Sequence, residues 1–216
     1  MTAVGKSRFV NALTFARVPL IVAWLVLAVA QEFTITSANA GSFWLAFWAC
    51  AMMLLSGLTD AWDGKLARKW GVVSRLGKMA DPLMDKVFYI VAFPAISWQV
   101  LHQGESEAHA LAMMLFTILY MLRDTWVTFM RSVGAMYGAD VAAMWLGKVR
   151  TALSFPGAGW VYMYCCFHRM VPESWHRPWL CSCYLVEALL VLLTVWSFWT
   201  YTAAYMPYLK KALERR

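Results

Sequence analysis

The sequence predicts an all-α integral membrane protein whose six helices cross the bilayer, with the N-terminus and the C-terminus both cytoplasmic. Three observations lead there. Of 216 residues, 62% are hydrophobic and 14% charged, whereas a water-soluble domain carries about 25% charged residues. Apolar runs able to cross about 30 Å of hydrocarbon recur between the charge clusters. The basic residues then sort to one side of those runs, as cytoplasmic loops require. The 13 Trp and 12 Phe, the lack of a glycine period and the five cysteines exclude disorder, a collagen-like fibre and a small disulfide scaffold.

The spans are expected at 15–31, 42–59, 83–101, 108–130, 145–167 and 178–205. The first follows Lys6 and Arg8 and carries Arg17, which sets the N-terminus in the cytoplasm. Ala38, Asn39 and Ala40 resemble a signal-peptidase site, but the polar stretch before them is long for a cleavage region, so this span is expected to be retained. Lys65, Arg68, Lys69, Arg75, Lys78 and Lys86 flank the connection from the second span to the third. Arg123, Arg131, Lys148 and Arg150 flank the fourth-to-fifth connection, and Lys210, Lys211, Arg215 and Arg216 follow the sixth span. Only Arg169 and Arg177 of the 19 basic residues fall outside. The net charge of +7 therefore points to topology and anionic headgroups, with no nucleic-acid partner. Cys165, Cys166, Cys181 and Cys183 near the outer ends lack the common metal-pair spacing and are expected, with Cys50, to be buried thiols. No repeat interrupts residues 1–216, so a single domain is expected.

The chemistry concentrates where the second and third spans meet the cytoplasm. Asp60, Asp63, Asp81 and Asp85 stand there, and a carboxylate at mid-membrane depth costs roughly 2.5–3.5 kcal/mol on insertion scales. If the second helix continues past residue 59, then Asp60, Asp63, Gly64, Ala67 and Arg68 share one face at 100° per residue. Gly64 and Ala67 leave room on that face for a ligand to approach the backbone. Gly71 suits a helix end, Ser74 a turn or N-cap, and a third helix starting near residues 78–81 takes Pro82 in its first turn. Asp81 and Asp85 are then i and i+4. An all-carboxylate set suits Mg²⁺ or Mn²⁺ better than zinc, and two such ions can neutralise phosphoryl oxygens in a displacement. A solvated polar turn does not account for the small residues among the acids. A divalent-cation transporter is the other-class alternative, but transport favours ionisable groups near the midplane.

Written as Asp60-x₂-Asp63-Gly64-x₂-Ala67-Arg68-x₈-Gly77-x₃-Asp81-x₃-Asp85, the segment resembles the signature of the CDP-alcohol phosphotransferase family at all eight specified positions. The resemblance implies a six-helix membrane enzyme, usually a homodimer, that breaks a CDP-alcohol at its diphosphate and releases CMP. By position it implies that Asp60, Asp63, Asp81 and Asp85 hold two divalent ions and that Asp85 also takes the proton of the attacking hydroxyl. It further implies that Gly64, Ala67, Arg68 and Gly77 receive the cytidine diphosphate.

Asp81-Pro82-x₂-Asp85-Lys86, Asn11-x-Leu13-Thr14-x₂-Arg17, and the block from Arg123-Asp124 through Arg131 to Gly147-Lys148-Val149-Arg150-Thr151 are similar to the branch of that family using CDP-diacylglycerol and glycerol 3-phosphate. That likeness implies phospholipid biosynthesis in a bacterial inner membrane. Independently, Arg123, Arg131, Lys148 and Arg150 at the cytoplasmic helix ends are the cations that a phosphate-bearing acceptor needs. An inositol phosphate or the headgroup of phosphatidylglycerol would suit the same residues.

Overall fold

The computed structural model describes residues 2–35, 40–72, 74–102, 107–139 and 144–214, apart from the side chains of residues 35, 40–42, 75, 78, 79, 81 and 82. These residues form α1 (Ala3–Ile35), α2 (Ala40–Trp70), α3 (Arg75–His102), α4 (Glu107–Met136), α5 (Trp145–Phe167) and α6 (Glu173–Glu214), with one 3₁₀ turn, His168–Met170, before α6. Asn39 and Ala38 of the cleavage-like stretch lie outside the described residues.

Four segments are long and apolar enough to cross a membrane: Ala3–Thr34, Phe43–Trp70, Glu107–Met136 and Glu173–Glu214. α3 and α5 contain the expected third and fifth spans but are not among these four. Asp85, Lys86, Pro94 and Gln99 dilute α3, while Gly, Pro and Ser dilute α5. The protein is thus an all-helical integral membrane protein with four candidate spans among the described residues.

Small residues set the packing. Ala28, Ala46, Ala49, Ala92 and Ala158 are buried at helix contacts, where short side chains let backbones approach. Trp24 of α1 meets Tyr162 of α5 edge-on at 5.3 Å in the same core. α1 lies along α2 and α3, α4 joins α3 to α6, and α5 packs on α6 while touching α2 and α3. Outward-facing Val22, Val26, Leu54, Leu122, Leu192 and Trp196 are exposed, as a lipid-facing surface requires. Cys165, Cys166 and Cys183 are buried as expected, but Cys50 is only partly so and Cys181 is exposed. Cys181 sits on the outward face of α6, so the expectation of burial fails there.

The α2–α3 corner positions the acids. α2 runs on to Trp70, so the acid-bearing segment is helical throughout. Gly71 ends it with φ +64°, a conformation that costs other residues roughly 1–2 kcal/mol. Val72 N–H donates to Ala67 O at 3.1 Å and Gly71 N–H to Arg68 O at 3.3 Å, which satisfies the final carbonyls in a Schellman pattern. Ser74 then caps α3 by accepting the Gly77 N–H at 2.8 Å. That cap starts α3 at Arg75, earlier than the sequence reading placed it, so Pro82 falls past the first turn.

Candidate active site

Three helices converge on one guanidinium. Thr14 and Arg17 are i and i+3 on α1 and share its inward face. The Arg17 side chain is 3% exposed and reaches Asp60 Oδ1 at 2.6 Å, Asp63 Oδ2 at 3.1 Å and Asp85 Oδ1 at 3.1 Å. Thr14 Oγ1 also donates to Asp63 Oδ2, at 2.8 Å. Asp63 is thereby buried, whereas the Asp60 and Asp85 side chains are 53% and 40% exposed. Asp60 and Asp63 of α2 and Asp85 of α3 therefore meet across the corner at Arg17. Asp81 lies on α3, one turn before Asp85, and its side chain is outside the described residues.

The remaining α2 positions fall beside this cluster. Gly64 and Ala67 are partly exposed and Arg68 is exposed. A side chain at Gly64 would meet nothing nearer than Arg68 Nη2 at 3.8 Å, so the face between the acids is open. Gly77 is tightly placed: a Cβ there would lie 3.1 Å from Ser74 Oγ and 3.5 Å from Asn11 Oδ1. Ser74 Oγ itself donates to Asn11 Oδ1 at 2.9 Å, tying the corner to α1.

Among the described residues no three His, Cys, Asp or Glu side chains stand in the geometry of a metal centre. The donor chemistry nevertheless fits a hard cation, because three carboxylate oxygens already converge on a single positive group.

Two cavities flank Asp85. The smaller, about 240 Å³, is lined by Arg17, Ser56, Gly57, Asp60, Asp85, Phe88, Phe155 and Pro156 among others. The larger, about 790 Å³, is lined by Asp85, Lys86, Arg123, Asp124, Arg131, Lys148 and Arg150 among others. Asp85, Tyr89, Thr151 and Ala152 line both. Tyr89 OH donates to Thr151 O at 3.2 Å, so α3 and α5 are pinned in this common wall.

All four cations expected at an acceptor phosphate line the larger cavity. Arg123 is buried, donates through Nη2 to Ser197 Oγ, and stacks over the Tyr201 ring at 5.1 Å. Arg150 is also buried and lies over the Tyr120 ring at 4.0 Å. Arg131 is partly buried, and Lys148 is exposed at the start of α5. Tyr201 OH accepts the Met144 N–H at 2.7 Å, which anchors that start to α6.

The sequence reading missed the residues that orient this set. Asp124 Oδ1 accepts from Arg150 Nη2 at 3.2 Å and lies 3.6 Å from Arg123 Nη1, while Oδ2 meets Lys86 Nζ at 3.3 Å. A carboxylate directly after an arginine in an apolar helix is a signal that could have singled it out. For Arg17 and Thr14 the signal was their three-residue spacing, which places both on one helix face. Tyr120, Ser197 and Tyr201 carry no such mark, because their roles come from tertiary packing.

The site now has its sequence relatives. The chain is similar to the CDP-diacylglycerol–glycerol-3-phosphate 3-phosphatidyltransferase of Escherichia coli (strain K12), with 26% identity over 163 residues, 74% of this chain and 80% of the relative. The proteins of that description from Shigella boydii serotype 4 (strain Sb227) and Shigella sonnei (strain Ss046) match with the same identity and the same two coverages. The model of the CDP-alcohol phosphatidyltransferase family matches residues 9–204, a span that takes in Arg17, the acid corner and every cation of the larger cavity. With the match running through all six helices and both cavities, the chain belongs to the CDP-alcohol phosphatidyltransferase family.

Proposed function

We propose that this membrane transferase moves a phosphatidyl group from CDP-diacylglycerol to glycerol 3-phosphate, giving phosphatidylglycerophosphate and CMP. The observation that carries the reading is the position of Asp85, which lines both the acid-rich cavity and the cation-rich cavity. A carboxylate in that wall can face an activated phosphorus on one side and an acceptor hydroxyl on the other. The similarity to the Escherichia coli glycerol-3-phosphate enzyme supports the choice of acceptor.

On this reading Gly64, Ala67, Arg68 and Gly77 receive the cytidine diphosphate, and the lipid tails stay among the exposed apolar helix faces. Asp60, Asp63, Asp81 and Asp85 would hold Mg²⁺ or Mn²⁺, two ions in all, which when bound supply the positive charge that neutralises the diphosphate. Arg123, Arg131, Lys148 and Arg150 hold the acceptor phosphate by charge-assisted hydrogen bonds. Asp85 accepts the proton of the acceptor hydroxyl as its oxygen bonds to the lipid-linked phosphorus. The bond from that phosphorus to the bridging oxygen breaks, and CMP leaves with the oxygen.

The same reading has six helices crossing a bacterial inner membrane, both termini and both cavities on the cytoplasmic side, and a homodimer as the working unit. The distribution of basic residues supports the orientation.

The test is CMP release from CDP-diacylglycerol by purified protein with Mg²⁺ or Mn²⁺. Glycerol 3-phosphate, inositol phosphate, serine and phosphatidylglycerol are offered separately. Release selective for glycerol 3-phosphate is expected. Release selective for another alcohol would move the acceptor and leave the reaction class in place, while none with any alcohol would end the transferase reading of this chain.

A further inference from the structure

Arg17 is placed unlike an arginine that serves only as a cytoplasmic anchor. Its side chain is almost wholly buried, and its two terminal nitrogens hold one oxygen from each of Asp60, Asp63 and Asp85. Its Nε–H is buried without a hydrogen-bond acceptor. A buried donor left unmade costs about 1–3 kcal/mol, so the guanidinium is incompletely satisfied where it stands. It also lines the smaller cavity together with Asp60 and Asp85, which leaves open space beside it.

We propose that Arg17 is a displaceable counter-cation: it holds the three carboxylates together in the metal-free protein and gives up those oxygens when a divalent cation enters. The inference rests on the reading of these acids as metal ligands. Two physical points carry it. A Mg²⁺ ion needs carboxylate oxygens at about 2.0–2.1 Å, and a guanidinium 2.6–3.1 Å from the same three carboxylates opposes its approach by like charge. Asp63 is buried beside two half-exposed carboxylates, and a neighbouring positive charge eases their mutual repulsion. Arg17 fills that role before metal arrives. A permanent structural tie makes the opposite prediction, because removing it would let the acids spread and weaken metal binding.

The experiment titrates Mn²⁺ into detergent-purified protein without CDP-lipid and follows the free-ion signal by electron paramagnetic resonance. Arg17→Gln is expected to bind Mn²⁺ about tenfold more tightly than the parent, or better. Its thermal stability should fall without metal and recover in Mn²⁺ by more than the parent gains. Equal or weaker Mn²⁺ affinity in Arg17→Gln would overturn the proposal. If that variant does not fold, Arg17→Met replaces it: the side chain fills the buried site without a charge, so tighter binding than the parent is still expected, and equal or weaker binding again overturns the idea. Asp85→Asn separates the two levels of the argument. Mn²⁺ binding that is lost in Asp85→Asn but unchanged in the Arg17 variants keeps the metal reading and removes the role of Arg17. Absence of Mn²⁺ binding in every protein, the parent included, removes both.

Discussion

The two cavities that meet at Asp85 are charge images of each other. On the α1–α2 side one arginine, Arg17, is held by three aspartates. On the α4–α5 side one aspartate, Asp124, stands among Lys86, Arg123 and Arg150. Each side is a cluster of one sign kept together by a single residue of the other. The first favours an incoming cation and the second an incoming anion, and Arg17 and Asp124 are the groups of opposite sign at the centre of each cluster. On the proposed reading, the contrast gives the charges of the two substrates separate destinations, with Asp85 in the wall between them.

Asp85 is where the comparison breaks most sharply. Asp85→Asn is expected to lower CMP release by roughly 10²–10⁴-fold while the protein still folds and binds CDP-lipid. Near-normal turnover would remove Asp85 as the base. Asp124→Asn should have the next largest effect, costing about 1–3 kcal/mol of stability because three cations lose their common acceptor. Glycerol 3-phosphate should restore part of the lost melting temperature, as bound ligand stabilises the folded state. A melting temperature that is unchanged from the parent would show that Asp124 does not bind the cluster together. The smallest effect sharpens the anion side alone: Lys148→Ala, at an exposed position, should raise the acceptor KM by about tenfold without altering CDP-lipid binding. An unchanged acceptor KM would make Lys148 a topological anchor.

These two sides differed in how far the sequence disclosed them. The acids occupy a single stretch from Asp60 to Asp85, and helix periodicity alone puts them on facing surfaces. Gly71 and Ser74 marked the corner because turn chemistry is local, although the cap started α3 earlier than expected. The anion side is assembled from α3, α4, α5 and α6, so its cations were visible as charges while their arrangement was not. Tyr201 supports both Arg123 and the start of α5 from a helix far along the chain. Arg17 was read as a cytoplasmic anchor and as the end of the Asn11 to Arg17 block, and neither reading discloses its burial or its three carboxylate partners. Apolar run length proposed six spans, whereas four segments among the described residues satisfy both length and apolarity, and in α3 the site residues Asp85 and Lys86 interrupt the apolar run.

The corner between α2 and α3 has one more consequence. Its geometry is set by backbone hydrogen bonds, from Val72 to Ala67 and Gly71 to Arg68, and by the Ser74 cap. None of these contacts involves a side chain facing lipid. Changes in acyl-chain length or fluidity alter how neighbouring helices tilt and press together, but they have little purchase on a turn of this kind. The turn that joins α2 to α3 is therefore insulated from membrane composition, while the hold of Arg17 on the carboxylates depends also on how α1 packs. Both cavities draw their walls from four helices and are not insulated in this way, so a shift in lipid composition should register in the cavities before it reaches the turn.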